Sequence, residues 1–396
     1  MSGRPAQDPS LQQESVICAQ CGACRAVCPT FRTLGWESSS PRGRISVLKT
    51  LTRDAGRVQG ATEEQVMTLC QCTLCGACGQ ACAALIDTRD LWLRARSALV
   101  REGKAVSQFS RLADALNLAR NIGAFDNDSR LAWAEDLDEE FWPVELDDAE
   151  GALDSDGLEV LYFVGCVASF YPRASQVALA FSEVLGTAGV RFASLGGQEW
   201  CCGFPLMASG HADEASAFRQ HNIKKILAAG VHQLVMTCPS CYHTYAHYLG
   251  EELKLAGVQV LHASQLLLKL IDDGRLRPRE WQAIVTYHDP CDLGRNSGVF
   301  EEPREIVRRL SHSFVELGLS GESAACCGGG GNLQSVDQNL VDQIADARVD
   351  EVVAVGAEVV VSACQQCEQV LESALRRRGL QTKVLDLSEF VLQCMT

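Results

Sequence analysis

Basic charge is scarce in this chain of 396 residues: Lys and Arg total 35 against 50 Asp and Glu, a formal net charge of −15. That balance excludes a nucleic-acid partner, because phosphate neutralisation needs a basic surface. No apolar run reaches the roughly 18 residues of a membrane span. The opening MSGRPAQDPSLQQES lacks the charged-then-apolar order of a secretory signal. These absences predict a cytoplasmic protein, peripheral on the inner face of a membrane only through a partner. No Gly-rich fingerprint follows a strand and opens a helix, so neither flavin nor NAD is expected on this chain. With 47% hydrophobic residues the composition is globular, and the length allows two to three domains.

Cysteine is what the chain has in excess. Twenty are present, and in a reducing compartment such thiolates bind metal rather than one another. The segment CAQCGACRAVCP sets Cys18, Cys21, Cys24 and Cys28 ahead of Pro29, and CTLCGACGQAC repeats the spacing with Cys72, Cys75, Cys78 and Cys82. This is the spacing of bacterial two-cluster ferredoxins, where the fourth cysteine of each run ligates the other cluster. The expected sets are therefore Cys18, Cys21, Cys24 and Cys82 for one cubane [4Fe–4S] cluster, and Cys72, Cys75, Cys78 and Cys28 for the other. Structural zinc favours paired CxxC units with a longer insert. Ala83 stands where a proline is usual, which leaves the ligand set intact. Gly22 and Gly76 suit loops that approach cluster sulfur closely. Between the runs, SSSPRGRISVLKTL predicts a helix opening at Pro41, with Arg42 and Arg44 placed to offset cluster charge.

After a predicted amphipathic helix, FSRLADALNLAR, the stretch Asp126–Asp156 holds thirteen acidic residues and one basic residue, Arg130. It reads as a solvated linker, in which Trp133, Phe141 and Trp142 leave room for docking to a partner subunit.

The rest of the chain is duplicated. Cys166, Cys201, Cys202, Cys238 and Cys241 recur as Cys291, Cys326, Cys327, Cys364 and Cys367, offset by 125 for the first three and 126 for the last two. Strand-like runs lead into the cysteines (LEVLYFVGC, QLVMTC, AIVTYHDPC, AEVVVSAC), and helical stretches separate each doublet from its CxxC. Alternating strands and helices predict a parallel α/β sheet with the cysteines at the carboxyl ends of strands, where ligands gather. Five thiolates with an adjacent doublet exceed what one closed zinc site accepts, so each set of five suits an extended cluster of several irons. Gly203 and the run Gly328–Gly331 follow the doublets, where backbone lies against inorganic sulfur.

These motifs resemble the cysteine-rich CCG domain family of heterodisulfide reductases and related oxidoreductases. The layout, two ferredoxin motifs followed by two CCG domains, is similar to that of D-type catalytic subunits of heterodisulfide reductase. TYHDPCDLGR and ACCGGGGN carry most of the likeness, which spans residue 15 to about 370. PRGRISVLK is also similar to iron–sulfur subunits of glycolate and lactate oxidases. The resemblance implies a noncubane [4Fe–4S] cluster at each intact CCG set, and two complete sets favour the heterodisulfide-reductase branch. The alternative is an electron-transfer subunit of a flavin-dependent glycolate or lactate dehydrogenase.

The expected architecture is mixed α+β and α/β. A ferredoxin-like domain spans residues 1–100 and a helical, acidic linker 101–157. Two Rossmann-like CCG domains follow at 158–275 and 276–396. Electrons are expected to pass from the ferredoxin clusters to two CCG centres facing one cavity, where a small thiol/disulfide or quinone-linked substrate reacts. The implied partner is a flavoprotein or other redox subunit. His288, three residues before Cys291, is a candidate donor to the cluster or to a product thiolate. His243 is a weaker candidate, His211 and His221 read as surface residues, and Cys70 and Cys394 as ordinary buried thiols.

Overall fold

The structure, a computed structural model, describes residues 10–53, 58–145 and 157–395, so the last part of the acidic stretch, 146–156, lies outside the described residues. Two all-parallel sheets form the body. The first comprises β1 (Val144–Glu145), β2 (Val160–Phe163), β3 (Phe192–Ser194), β4 (Gln233–Met236) and β5 (Gln259–His262), in the order β1-β3-β2-β4-β5. The second comprises β6 (Trp281–His288), β7 (Ser311–Phe314), β8 (Val359–Ser362) and β9 (Lys383–Asp386), in the order β7-β6-β8-β9. Strands covered on both faces read as continuous apolar runs, and β2 and β8 are buried at every position.

With β1 set aside, the two orders are the same, as the cysteine offsets require. In each sheet the chain leaves the first strand to one side and returns on the other, so β2 adjoins β4 and β6 adjoins β8. A crevice opens at that reversal, beyond the carboxyl ends of the two strands. Cys166 and Cys238 follow the ends of β2 and β4, and Cys291 and Cys364 follow β6 and β8.

The amino-terminal domain is helical. Its helix Pro41–Leu51 starts where the serines predict, with Ser40 Oγ accepting the Gly43 N–H at 3.0 Å and proline in the first turn. The cysteine-bearing helices Ala23–Val27 and Ala77–Gln80 pack on one another. The domain shares one apolar core with the first sheet, which joins Leu48, Leu91 and Trp92 to Leu161 and Phe163. Part of the second sheet and its flanking helices have a core of their own around Val341, Ile344 and Leu371.

The acidic segment differs from a solvated spacer over its described part. A 3-10 turn, Asn127–Asp136, buries Arg130 and Trp133, and β1 joins the edge of the first sheet. The cause is the single basic residue: Arg130 is the counter-ion of the buried Glu199, at 2.8 Å.

His262 gives the fold a pH dependence. Its Nδ1 accepts the Ser264 N–H at 3.1 Å, capping the helix Ala263–Asp272, and its Nε2 lies 3.3 Å from the Thr237 carbonyl. Burial pushes its pKa down from 6.5 to about 3. The unfolded chain therefore binds the extra proton first, and stability present above pH 6.5 is lost as the pH falls towards 3. This residue is expected to cost about 2 kcal/mol of stability between pH 7.5 and pH 5. His262→Asn, which keeps the capping acceptor, should flatten that part of the dependence of the urea midpoint on pH; equal slopes in the two proteins would refute it.

Candidate metal centres

Gly22 and Gly76 open the two cysteine-bearing helices in the left-handed region, at φ 82° and 78°. A side chain at Gly76 would run into Asn296. Cys28, at the end of the first helix, lines one small cavity together with Cys72, Cys75 and Cys78 of the second run. The structure thus brings the fourth cysteine of the first run to the other set. Cys28 and Cys78 face hydroxyls, Thr30 Oγ1 at 3.2 Å and Thr88 Oγ1 at 2.9 Å, and the Leu74 N–H points at Cys72 Sγ at 3.4 Å. Burial, then the neighbouring Cys72 and Cys75 sulfurs, push the Cys78 thiol well above its ordinary range. Cys21 is exposed and Cys18, Cys24 and Cys82 are half-buried, so the other set lies at the surface. Of the two arginines between the runs, Arg44 is buried with Nη1 4.0 Å from Cys28 Sγ, whereas Arg42 pairs with Glu37.

Cys28→Ala separates the two sets. It is expected to lower iron by about four per chain and to remove the paramagnetic signal of the buried cluster while that of the surface cluster stays. Loss of the surface cluster instead would show that the runs do not exchange ligands.

In the first α/β half, sulfur meets sulfur in the order Cys166, Cys201, Cys202, Cys241, Cys238. In the second the order is Cys291, Cys326, Cys327, Cys367, Cys364, with Cys327 and Cys367 Sγ 3.3 Å apart. The two sequences of contacts correspond position for position. In each half the second cysteine of the doublet is held well below the usual thiol range, first by the hydrogen bond from its neighbour. The flanking Cys241 and Cys367 are pushed well up, first by the hydrogen bonds to Cys202 and Cys327, next by those to Cys238 and Cys364, and then by burial. Four of the five cysteines in each half are buried, with Cys238 and Cys291 half-buried; as thiolates they would coexist there only around a cationic centre, and a convergent all-sulfur donor set fits iron with inorganic sulfide. One further contact links the domains: Cys75 of the ferredoxin set meets Cys326 of the second doublet.

All five cysteines of the first half line a cavity of about 120 Å³, closed on its other side by Gly329–Gly331, Asn332 and Gln365. Of the five cysteines of the second half, Cys364 alone lines this cavity, so the two sets expected to face one cavity reach it unequally. The glycine run also behaves differently from expectation. The Gly328 and Gly329 N–H groups do face Cys326 and Cys327 Sγ, at 3.3 and 3.4 Å, but Gly330 and Gly331 lie against the Thr73 and Cys72 backbone, where a Cβ has no room.

Each half has a buried arginine at its sulfurs. Arg130 lies 4.0 Å from Cys166 Sγ. Its partner Glu199 accepts the Val164 and Gly165 N–H groups, both at 2.9 Å, which shapes the loop before Cys166; burial pushes this carboxyl up to about 7. In the second half, Arg348 Nε donates to His288 Nδ1 at 3.1 Å. Because a guanidinium only donates, the His288 proton sits on Nε2. A nitrogen of this ring lies within 4.8 Å of Cys327 and Cys367 sulfur. Burial and then Arg348 push His288 down to about 3, so it stands as a neutral imidazole. The repeat offset puts Phe163 where the second half has His288, so the two centres are not electrostatically equivalent.

A network not anticipated from the sequence joins three units. Arg89 donates to Asp292 Oδ1 at 3.0 Å and to His243 Nε2 at 2.6 Å, and Ser240 Oγ donates to Asp292 Oδ2 at 2.7 Å. It ties the helix Thr88–Arg101 to the residue after Cys291 and to the middle of CPSC. His243, pushed to about 3 by burial and then by Arg89, is held neutral. His221 is not a free surface residue either: it stacks on Trp200 at 3.7 Å.

Residues 160–245 and 285–372 match the Cysteine-rich domain (CCG) family, and residues 14–86 match the 4Fe-4S dicluster domain. The chain is 30% identical to the D-type subunit of the Dihydromethanophenazine:CoB–CoM heterodisulfide reductase of Methanosarcina acetivorans, over 96% of this chain and 93% of that one. It is 32% identical to a probable membrane-anchored ferredoxin of Chromohalobacter salexigens, over 94% of this chain and 59% of that one. It is 26% identical to the EtfAB:quinone oxidoreductase of Syntrophomonas wolfei, over 96% and 58%.

Proposed function

Because the chain belongs to the family of CCG-domain iron–sulfur proteins that includes the D-type subunit of heterodisulfide reductase, and is thus an iron–sulfur electron-transfer subunit of a reductase-like complex, we propose that it also carries the site at which a disulfide is reduced. Cys18, Cys21, Cys24 and Cys82, and Cys28, Cys72, Cys75 and Cys78, would hold two cubane clusters. Cys166, Cys201, Cys202, Cys238 and Cys241, and Cys291, Cys326, Cys327, Cys364 and Cys367, would hold two noncubane ones. When bound, such clusters supply one-electron transfer, and reducing a disulfide takes two electrons and two protons to give two thiols.

The chain's own residues prepare the place. The buried Val164 and Phe204 give the wall beside the sulfurs of the first half an apolar part. Glu199 fixes the loop that presents Cys166, and Arg130 supplies positive charge beside it. Arg348 fixes the tautomer of His288 beside the second centre. The observation that carries the proposal is the matching order in which the five sulfurs of each half meet, with a cavity opening on the first.

Electrons would come from another redox subunit of the complex. No helix among the described residues is long and apolar enough to cross a membrane. Isolation of the native complex tests the proposal. Disulfide reduction by the complex supports it, whereas copurification with a flavoprotein that oxidises glycolate or lactate, and no disulfide reduction, would overturn it.

A further inference from the structure

We infer that the redox partner of this chain docks over the surface set, Cys18, Cys21, Cys24 and Cys82, and that it is a redox protein whose contact surface is apolar and acidic. This rests on the electron-transfer role of the chain and not on the disulfide site. Cys21 is exposed and the other three cysteines are half-buried. Large apolar side chains stand in solvent around them. Val16 and Ile17 are exposed directly before Cys18, Val27 is exposed three residues after Cys24, and Leu85, three after Cys82, is 89% exposed. Trp36, 73% exposed, joins them through its neighbour Glu37. That carboxylate holds Arg25, the residue after Cys24, at 3.3 Å and Arg42 at 2.7 Å. Arg42 Nη1 in turn donates to the Gln20 carbonyl at 3.2 Å, inside the cysteine loop. Apolar groups exposed together mark a contact surface, and tryptophan and arginine are the residues that most often anchor one.

Charge selects the partner. Residues 10–53 hold six basic residues and two acidic ones, in a chain whose formal charge is −15. Both carboxylates are spent internally: Glu14 is buried against Arg94, and Glu37 is held by Arg25 and Arg42. Arg32 and Arg53 are exposed, and Lys49 lies two turns along the helix Pro41–Leu51 from Arg42, on the same face. The rest of the molecule repels an acidic protein and this face admits it, which sets the orientation of the encounter as well as its rate. A lipid surface would also meet basic and apolar groups here. It would, however, place the exposed Cys21 sulfur, as a thiolate, in hydrocarbon with nothing to pair it. A protein with its own redox centre gains instead, because contact at this face brings that centre up to the exposed sulfur.

The test uses the native complex, prepared without oxygen. A water-soluble carbodiimide joins a lysine amine to a carboxylate only where the two are in contact, and it is expected to join Lys49 to an Asp or Glu of another subunit. Trp36→Ser and Arg32→Glu, both at exposed positions, should each slow electron transfer between that subunit and this chain at least about tenfold. Iron per chain and the paramagnetic signals after chemical reduction should stay as they are. In the unaltered complex the transfer should slow as salt is added, and in Arg32→Glu it should respond less to salt. Cross-links to another subunit from other lysines only, or unchanged rates in both variants, overturn the inference. So does Lys49 joined only to a second copy of this chain, or binding of the isolated chain to phosphatidylglycerol vesicles that Trp36→Ser abolishes. All of these leave the disulfide reading standing, and a complex that reduces no disulfide overturns that reading and not this one.

Discussion

Replacing Arg96 with methionine is expected to abolish iron-loaded, folded protein. The side chain is buried and donates to five carbonyls: Leu69 at 3.3 Å, Cys70 at 2.7 Å, Cys72 at 2.9 Å, Ala208 at 2.6 Å and Gly331 at 2.9 Å. These acceptors belong to the second ferredoxin loop, the helix after the first doublet and the glycine run after the second. One guanidinium thus ties together three of the segments that present cysteines. Each carbonyl orphaned in the interior costs about 1–3 kcal/mol, so the sum is on the order of 5 kcal/mol or more, comparable with the whole stability of a domain. Arg96→Lys keeps the charge but has three donors for five acceptors, and should fall between. Soluble yield and iron per chain measure the effect. A methionine variant with undiminished yield and iron would show that the junction does not depend on this residue.

Cys202→Ser is expected to lower disulfide reduction at least about 100-fold, since even outer partners of a metal site cost 10–100-fold when lost. Cys202 is the middle sulfur of its five, touching both Cys201 and Cys241. The variant should lose about four irons while both ferredoxin signals persist. Cys70→Ser is the contrast. Cys70 is buried in the apolar core two residues before Cys72, and its replacement should leave iron unchanged. Reduction by Cys202→Ser at more than a tenth of the normal rate would remove the first five from the reaction.

Much of this was legible in the sequence because cysteine announces itself by spacing. The duplication offsets already align the two sulfur orders, and the ferredoxin spacing already sends Cys28 to Cys72, Cys75 and Cys78. What spacing does not carry is which charged residues leave the surface. Arg96, Arg130 and Arg348 have no pattern around them that distinguishes a buried guanidinium from a solvated one, although Arg130 stood out as the one basic residue in an acidic stretch. Its burial follows from Glu199, which is 69 positions away in the chain. Likewise the Cys75–Cys326 contact and the Arg89–Asp292–Ser240 network join segments far apart in sequence. Glycine misled in part. Gly328 and Gly329 meet sulfur as their position suggests, but Gly330 and Gly331 are small because the Thr73 and Cys72 backbone passes close to them.

Iron and acid-labile sulfide, counted on the full chain purified without oxygen, test the central claim most directly. Four filled nests of cysteine sulfur predict about sixteen of each per chain, four in every cluster. A brown protein with that stoichiometry is the expected result. A folded chain that is colourless, or that carries zinc and no sulfide, would contradict it.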